Sequence, residues 1–399
     1  MTRQQRWIII TLLLTQFTHV LDFVIMMPLS THFIKSLQIT APQFTVLVAS
    51  YGFSAAFSGF FSTMFTDKYD RKPMFTTIFI GFILSTFACG LASNYEMLIL
   101  ARIVTGIFGG ILSGQTYAIV SDVFPYNLRA RATGVVMSGF SLASAIGVPA
   151  SLFFANRYGL SVPFYVIGTI GLLTLILIHL FIPNLKGHVI KNTQFTNPFK
   201  NFIIILKNKN QRHALLMTAF LILGGFPVIT MLNPFLKYNI SFDDNDIMMM
   251  YIIGGVLTII TANLIGYVAD KTSKQKVFLI MGLLSIIPLL LMTNLTNQTT
   301  HFQVFIFIAF FFFVINGRNI PSIALSTSVA PSKSRGSYMG INSFLQQIAM
   351  GLSASISGLV VSQNETTHAI SHYNYVGYIS IGFTLMALYC SRKVTSIES

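Results

Sequence analysis

Residues 16–28, QFTHVLDFVIMMP, place a carboxylate, Asp22, inside a long apolar run. The run covers residues 7–29, which is longer than the hydrophobic region of a signal peptide, and it has no small-x-small cleavage site. We therefore interpret it as a retained helix that crosses a membrane. Helical spacing places Thr18 and His19 on the same side as Asp22, so a polar stripe follows one face of the helix.

An acid at this depth is costly for the fold. Insertion scales put the cost at about 2.5–3.5 kcal/mol, and intramembrane acids commonly mark an ion, proton or substrate pathway. Asp22 is therefore predicted to be a functional residue. The alternative is a structural acid that pairs with a neighbouring helix.

The composition of the chain is that of a membrane protein. Of the 399 residues, 53% are hydrophobic and 9% are charged, whereas soluble domains carry about 25% charged residues. The two cysteines, Cys89 and Cys390, lie in apolar spans at opposite ends of the chain, which argues against a disulfide framework or a metal site. We expect no cofactor.

Apolar runs of about 20 residues, the length that crosses a bilayer, recur along the chain. They fall at 7–29, 43–66, 74–93, 97–120, 131–155, 162–183, 213–236, 247–268, 276–296, 302–326, 337–362 and 371–391. The pattern predicts an all-α membrane protein with twelve spans.

The formal net charge of +14 is explained by topology. With both termini placed in the cytoplasm, 20 of the 25 Lys and Arg residues fall in cytoplasmic segments and three fall in outer loops. The remaining two, Arg102 and Arg318, lie inside spans. This distribution follows the positive-inside rule, so the basic residues are expected to face anionic lipid head groups rather than nucleic acid.

A polar stretch and a weak internal repeat divide the chain. Residues 185–212 are predicted to form a cytoplasmic linker between two halves, 1–184 and 213–399. The sequence TDKYDRK at 66–72 is echoed by ADKTSKQK at 269–276, and the segment 121–134 is echoed by the segment 327–340. Repeats at this scale predict two pseudo-symmetric six-helix bundles that face each other across a cavity.

The loop after span two contains charged residues that match a known family signature. Four of its charged residues match the signature Gly-x-Leu-x-Asp-Arg-x-Gly-Arg-Lys, namely Asp67, Lys68, Arg71 and Lys72. Thr63 and Asp70 stand where glycines are usual. On these residues the chain resembles the major facilitator superfamily, and more narrowly its twelve-helix drug and metabolite/proton antiporters of the arabinose-efflux-permease-like kind. The resemblance extends over the whole length.

The resemblance implies a conformational latch built from charged residues at helix ends. Its candidate members are Asp67, Arg71, Asp122, Arg131, Asp270 and Lys271. Carboxylates and cations at these ends can pair across the loops and hold one conformation. Ordinary positive-inside charge accounts for the cations but not for the acids at matched positions of the repeat.

Span four carries a second signature, ILARIVTGIFGG at 99–110. Arg102 and Gly106 are similar to the family's intramembrane arginine with a glycine four residues later, while Thr105 replaces the usual glutamine. At 1.5 Å per residue, Arg102 lies about 8 Å and Asp22 about 10 Å below the outer surface.

We predict that these two charges, with His19 one turn from the acid, form a proton-coupling site. The arginine favours the ionised acid and burial favours the neutral one, so water access or a ligand can switch it. The alternative is a static structural ion pair.

Span five reads GFSLASAIGVPASLFF at 139–154, which is similar to the antiporter signature of spaced glycines. The match is looser here because Val148 separates Gly147 from Pro149. Gly139, Ala143 and Gly147 nevertheless form a small-xxx-small face, which favours close contact with another helix.

Polar residues inside the spans are candidates for contact with a substrate. They are Gln115, Asn263, Arg318, Asn319, Asn342 and Gln346. Arg318 precedes Pro321 in span ten and has no obvious acid nearby, so a substrate oxygen, water or freed backbone carbonyls must stabilise it. The alternatives are snorkelling of Arg318 toward the head groups and simple helix–helix contacts for the amides.

The sequence therefore predicts a proton-coupled secondary transporter that exports a small organic molecule by alternating access, where the export direction is implied by the resemblance. We expect a monomer in the bacterial cytoplasmic membrane. The alternatives are proton-coupled uptake and a membrane sensor that does not transport. An enzyme is disfavoured because the spans contain no catalytic cluster of acids and histidines, no Ser–Lys pair and no metal motif.

Overall fold

The structure is a computed structural model, and it describes residues 1–62, 69–184, 198–330 and 335–395. These residues form an all-α membrane fold with one short hairpin, whose antiparallel strands are β1 (Ser362–Gln363) and β2 (Ile370–Ser371). Residues 185–197 of the linker that the sequence predicts lie outside the described residues, whereas residues 198–212 are described.

The first half contains eight α-helices and one π-helical turn among the residues described. The bounds are α1 Arg3–Val24, α2 Ser30–Leu37, α3 Ala41–Ser62, α4 Arg71–Leu91, α5 Tyr95–Val123, α6 Tyr126–Leu142, α7 Val148–Tyr158 and α8 Val162–Phe181. The π-helical turn, Ala143–Gly147, connects α6 to α7 without a loop.

The second half contains nine α-helices within the described ranges. They are α9 Pro198–Lys207, α10 Lys209–Leu223, α11 Phe226–Asn239, α12 Asp244–Lys271, α13 Lys274–Leu284, α14 Ile286–Thr293, α15 His301–Thr327, α16 Arg335–Val360 and α17 Tyr373–Ser391. The seventh predicted span is interrupted at Gly224 and Gly225, and the ninth is interrupted at Ser285.

In the described part of the chain, eleven helical stretches are long and apolar enough to cross a membrane. They correspond to the first eleven spans that the sequence predicts. The twelfth predicted span corresponds to α17, which has 19 residues but contains tyrosine, serine and asparagine within its apolar run.

Polar caps set several of the helix boundaries. For example, the Asn94 side chain accepts a hydrogen bond from the Met97 amide where α5 begins.

The chain packs as two compact units. One unit contains Met1–Met26 and Ser50–Lys200, and the other contains Met27–Ala49 and Asn201–Ser399. The division cuts through α3, which is a continuous helix across Ala49 and Ser50. Each unit has an apolar core of its own. The core of the first unit includes Leu12, Phe79 and Leu112, and the core of the second includes Leu215, Phe278 and Tyr338.

Candidate functional site

Asp22 and Arg102 form a buried ion pair inside the first unit. Arg102 Nη1 donates to Asp22 Oδ2 at 2.8 Å, and both side chains are 0% exposed. The sequence predicted similar depths for the two residues, and the helices α1 and α5 bring them into direct contact. A pair that is fully removed from water stabilises the fold only when its remaining polar atoms are also satisfied.

Thr86 of α4 provides the second contact of the acid. Its hydroxyl Oγ1 lies 3.1 Å from Asp22 Oδ1 and 3.0 Å from the Phe82 carbonyl oxygen. The hydroxyl has one hydrogen and two lone pairs, so it can donate to an ionised Asp22 or accept from a protonated one while donating to Phe82. This residue can therefore satisfy the acid in both protonation states.

Tyr51 lies on the other side of the arginine. The Arg102 Cζ atom is 4.6 Å from the centre of the Tyr51 ring, which is the geometry of a cation–π contact. The Tyr51 hydroxyl is hydrogen bonded to His19 Nε2 at 3.0 Å. His19 is thus joined to Arg102 through Tyr51, and it makes no hydrogen bond to Asp22.

Several nitrogen atoms at the site have no hydrogen-bond partner among the described residues. They are Arg102 Nε, Arg102 Nη2 and His19 Nδ1. Buried polar atoms are normally satisfied by protein or by ordered water. Water or an oxygen of a bound molecule can therefore form hydrogen bonds with these nitrogen atoms.

Two glycines of α5 allow Tyr51 of α3 to lie close to α5. A Cβ atom at Gly106 would collide with the Ser54 hydroxyl and would lie 2.6 Å from the Tyr51 carbonyl oxygen, while a Cβ at Gly109 would lie 2.5 Å from the Tyr51 hydroxyl. The glycine four residues after Arg102 therefore has a physical role, which is close contact between α5 and α3.

The small-residue face of span five packs on the helix that carries the acid. A Cβ atom at Gly139 would lie 3.0 Å from the Phe17 amide nitrogen, and one at Gly147 would lie 2.6 Å from the Leu21 side chain. The π-helical turn at Ala143–Gly147 lies within this face. The face therefore contacts α1 immediately before Asp22.

Part of the charged cluster at the helix ends is formed in the structure. Arg71 Nε donates to Asp122 Oδ2 at 3.1 Å, and Arg71 Nη1 donates to Gln115 Oε1 at 3.2 Å. Gln115, a candidate for substrate contact, therefore forms a hydrogen bond within this cluster. Asp67 lies outside the described residues, and Arg131 is exposed without an ion pair to a described acid.

The matching residues of the second half have different surroundings. Asp270 and Lys271 are exposed, and neither forms an ion pair within the ranges that the structure describes. The Lys271 ammonium lies 4.4 Å from the centre of the Tyr267 ring.

Arg318 is buried in the second unit at 1% exposure. Nη1 donates to Ser285 Oγ and Thr384 Oγ1, both at 3.0 Å, and Nη2 donates to the carbonyl oxygens of Gly224 at 2.9 Å and Leu221 at 3.3 Å. No carboxylate among the described residues pairs with it. The guanidinium bonds to groups inside its own unit, so it does not snorkel to the surface.

The breaks in spans seven and nine supply most of these acceptors. Gly224 and Gly225 end α10, which frees carbonyl groups, and Ser285 ends α13. A Cβ atom at Gly225 would lie 2.5 Å from Arg318 Nη2, so a side chain there would displace the guanidinium. The acceptors that the sequence suggested near Pro321 are not the ones used.

The remaining candidates for substrate contact are scattered. Asn342 is buried and accepts a hydrogen bond from Thr218 Oγ1 at 2.7 Å. Asn263 is exposed and donates to the Ile259 carbonyl of its own helix, while Asn319 and Gln346 are half-buried.

Sequence reasoning missed Tyr51 and Thr86. A tyrosine in the small-residue span two and a threonine in an apolar helix carry no local signal, because both gain their roles only through helix packing. No cluster of His, Cys, Asp and Glu that could hold a metal ion is present in the part of the chain that the structure describes.

The family model of the Major Facilitator Superfamily matches residues 12–354. The chain therefore belongs to this superfamily of membrane transporters. It is similar to the multidrug resistance protein 2 of Bacillus subtilis, with 23% identity over 280 residues, which are 69% of this chain and 70% of that protein.

A second relative is the uncharacterized MFS-type transporter YtbD of the same organism, with 24% identity over 219 residues. That match covers 55% of this chain and only 54% of YtbD, about half its length. Among solved structures, the chain is similar in fold to a D-xylose-proton symporter, with a TM-score of 0.79, 16% identity and coverage of 98% of both chains.

Proposed function

We propose that this protein is a proton-coupled secondary transporter that exports a small organic molecule. The observation that carries the proposal is the Asp22–Arg102 pair, which is fully buried and has a hydroxyl partner suited to both protonation states of the acid. The hydroxyl keeps the acid hydrogen bonded whether it gains or loses a proton.

The proposed coupling works through the charge balance of this pair. With Asp22 ionised, the acid neutralises Arg102 across the contact between α1 and α5. When a proton binds to Asp22, the guanidinium keeps the cation–π contact to Tyr51 but loses its counter-ion. The unmatched charge then favours water or a substrate oxygen near Arg102 Nε and Nη2. Proton binding and substrate binding are thereby coupled at one site.

Export is favoured over uptake by the likeness to a multidrug resistance protein. The proposed location is the bacterial cytoplasmic membrane with both termini inside, since this orientation places most Lys and Arg residues in the cytoplasm. The halves 1–184 and 213–399 would be the two bundles, and the protein would act as a monomer. Arg71, Asp122 and Gln115 would latch the cytoplasmic ends of one bundle.

The experiment is a transport screen in liposomes with the purified protein and an imposed proton gradient. Candidate drugs, sugars and metabolites are tested for movement against their own gradient, and a pH-sensitive dye reports proton flux. Opposite directions for proton and solute support export by antiport, whereas the same direction supports uptake. Binding without flux of either kind would indicate a sensor and refute the proposal.

A further inference from the structure

Helix α9 exposes three bulky apolar side chains within a stretch of sequence that is otherwise polar. Phe199, Ile203 and Ile204 are 50%, 52% and 55% exposed. Phe199 and Ile203 are one helical turn apart and so lie on the same side of α9, while Ile204 follows Ile203 directly. Apolar side chains grouped in this way on a surface mark a contact with another protein or with a membrane.

The opposite side of α9 is packed. Ile205 is 5% exposed and belongs to the apolar core of the second unit, which also includes Leu215 and Phe278. Phe202 and Leu206 pack against the same core. One side of α9 is therefore fixed to the second unit, and the other side is a surface of defined position.

α9 lies next to the start of a membrane span. It ends at Lys207, and the stretch Lys209–Asn239 is long and apolar enough to cross a membrane. Between them, Asn208 has an extended backbone, and its side chain accepts hydrogen bonds from the amides of Asn210 and Gln211. This cap begins a new helix, so α9 does not continue the span. Because a helix of ten residues is only about 15 Å long, all of α9 lies near the membrane surface.

The sequence around α9 is strongly basic. Residues 123–242 contain no Asp or Glu, and the predicted linker 185–212 contains six Lys and Arg residues. Lys207 and Lys209 are exposed, and neither forms an ion pair with an acid among the residues described. The charge of this region is therefore complementary to a negatively charged surface outside the chain.

An anionic membrane surface matches both the apolar and the basic residues of α9. Helices that lie in a membrane interface combine apolar side chains with Lys or Arg, and the apolar side chains enter the boundary of head groups and acyl chains by about 5–10 Å. Lys207 follows Ile203 by one turn, so its aliphatic stem can extend along the apolar residues while its ammonium group reaches a lipid phosphate. The bilayer that surrounds the neighbouring span is therefore favoured over a soluble partner.

We propose that α9 inserts Phe199, Ile203 and Ile204 into the membrane surface, and that Lys207 and Lys209 bind the head groups of anionic phospholipids. The bilayer then holds one side of α9, and the core of the second unit holds the other. Because this core joins α9 to α10, α13 and α16, bound anionic lipid stabilises the adjoining ends of these helices, and transport requires it. The lipid contact goes beyond the proposed function, whereas the requirement in transport rests on it.

Tryptophan fluorescence tests the insertion. Trp7 is the only tryptophan of the chain, so Trp7→Phe removes the native signal, and Ile204→Trp places a new one on the exposed side of α9. The double variant is reconstituted in vesicles of phosphatidylcholine and phosphatidylglycerol, with or without brominated acyl chains. Brominated lipid is expected to quench the fluorescence strongly, and iodide in the water is expected to quench it little.

Two variants in the same Trp7→Phe background are the controls. Ile287→Trp lies in a span and represents contact with lipid, and Gln298→Trp lies in an exposed turn before α15 and represents contact with water. The insertion would be overturned if iodide quenched Ile204→Trp as it quenches Gln298→Trp, because α9 would then face water. It would also be overturned if neither agent quenched Ile204→Trp, because protein would then cover α9.

The lysines are tested by the lipid requirement of transport. In vesicles with a low fraction of phosphatidylglycerol, Lys207→Gln/Lys209→Gln is expected to slow transport of a solute found by the liposome screen. The expected loss is roughly fivefold for each charge removed, the contribution of one basic residue at an anionic surface. A high fraction of phosphatidylglycerol is expected to restore the rate.

Lys274→Gln/Lys276→Gln is the matched control for this experiment. It removes two exposed lysines of the same spacing at the start of α13, and it is expected to keep the lipid dependence of the parent. Equal rates for the parent and Lys207→Gln/Lys209→Gln at every fraction of phosphatidylglycerol would overturn the role of the two lysines. Absence of transport by the parent in every lipid would instead count against the proposed function, and the fluorescence result would still decide the insertion.

Discussion

The two arginines inside the predicted spans are equally buried, but they are stabilised by different partners. Arg102 in the first unit has a carboxylate at 2.8 Å, whereas Arg318 in the second unit has two hydroxyl groups and two backbone carbonyls. A carboxylate can take up a proton and so change the charge of its site, while hydroxyl groups and carbonyls cannot. Under the proposed coupling, the first unit would carry the switchable charge and the second a permanent one.

Asp22→Asn tests this comparison with the largest expected effect. The amide keeps the size of the acid but cannot be ionised, so accumulation against a gradient is expected to fall to the level of liposomes without protein. Substrate exchange without a gradient is expected to survive in part. Glu96→Gln, which neutralises an exposed acid in the first turn of α5, is the control and should keep uphill transport. Uphill transport by Asp22→Asn would move the coupling to another residue.

Arg102→Lys is expected to have the next largest effect. Lysine keeps the charge but loses the planar group that contacts both Asp22 and the Tyr51 ring. We expect proton-driven transport rates to fall by roughly tenfold or more, as for loss of a buried charged hydrogen bond, with little loss of thermal stability. A variant with normal coupling would argue against a role for the pair.

Arg318 variants are expected to affect stability more than coupling. Arg318→Met leaves the Leu221 carbonyl without its Arg318 donor, at about 1–3 kcal/mol for a buried group. The Gly224 carbonyl loses the same donor but keeps a hydrogen bond from Thr384 Oγ1 at 3.2 Å. The unfolding temperature in detergent should therefore fall by several degrees, at about 2–4 °C per kcal/mol, while the ratio of protons to substrate stays the same.

Arg318→Lys refines the test, because an ammonium group can reach only part of the acceptor set and should restore part of the stability. The sequence-based hypothesis, in which Arg318 binds a substrate oxygen, predicts a different result. Under it, both variants weaken substrate binding even where the folded protein is stable, and equilibrium binding distinguishes the two cases.

Tyr51→Phe is expected to have the smallest effect. It keeps the ring beneath Arg102 but removes the hydroxyl that bonds to His19, a contact with a net value of about 0.5–1.5 kcal/mol. Transport is expected to change by a few-fold, mainly through a shift of its pH dependence. A pH profile identical to that of the parent would show that His19 only packs.

The contact of Asp22 with Arg102 could be predicted from sequence because both are charged residues in apolar helices of readable depth. The family likeness was readable for a similar reason, since its charged motifs stand out from the apolar background. Tyr51 and Thr86 could not be found this way, because their type is common in such helices and their partners come from other spans.

The hydrogen-bond partners of Arg318 could not be predicted from the sequence for another reason. Backbone carbonyls have no signature in a sequence, and they become available only because Gly224 and Gly225 interrupt a span that reads as continuous. Where function depends on a break in a helix, the sequence indicates the residues that permit the break but not the side chain that uses it.

The acceptor set of Arg318 also bears on how the chain is made. Leu221, Gly224 and Ser285 are synthesised before Arg318, but Thr384 of α17 follows 66 residues later. Arg102, by contrast, emerges from the ribosome after Asp22 and can find its counter-ion at once. The second half therefore enters the bilayer with an incompletely bonded cation until its last helix arrives. Chains that stop before α17 are expected to be the preferred targets of membrane quality-control proteases.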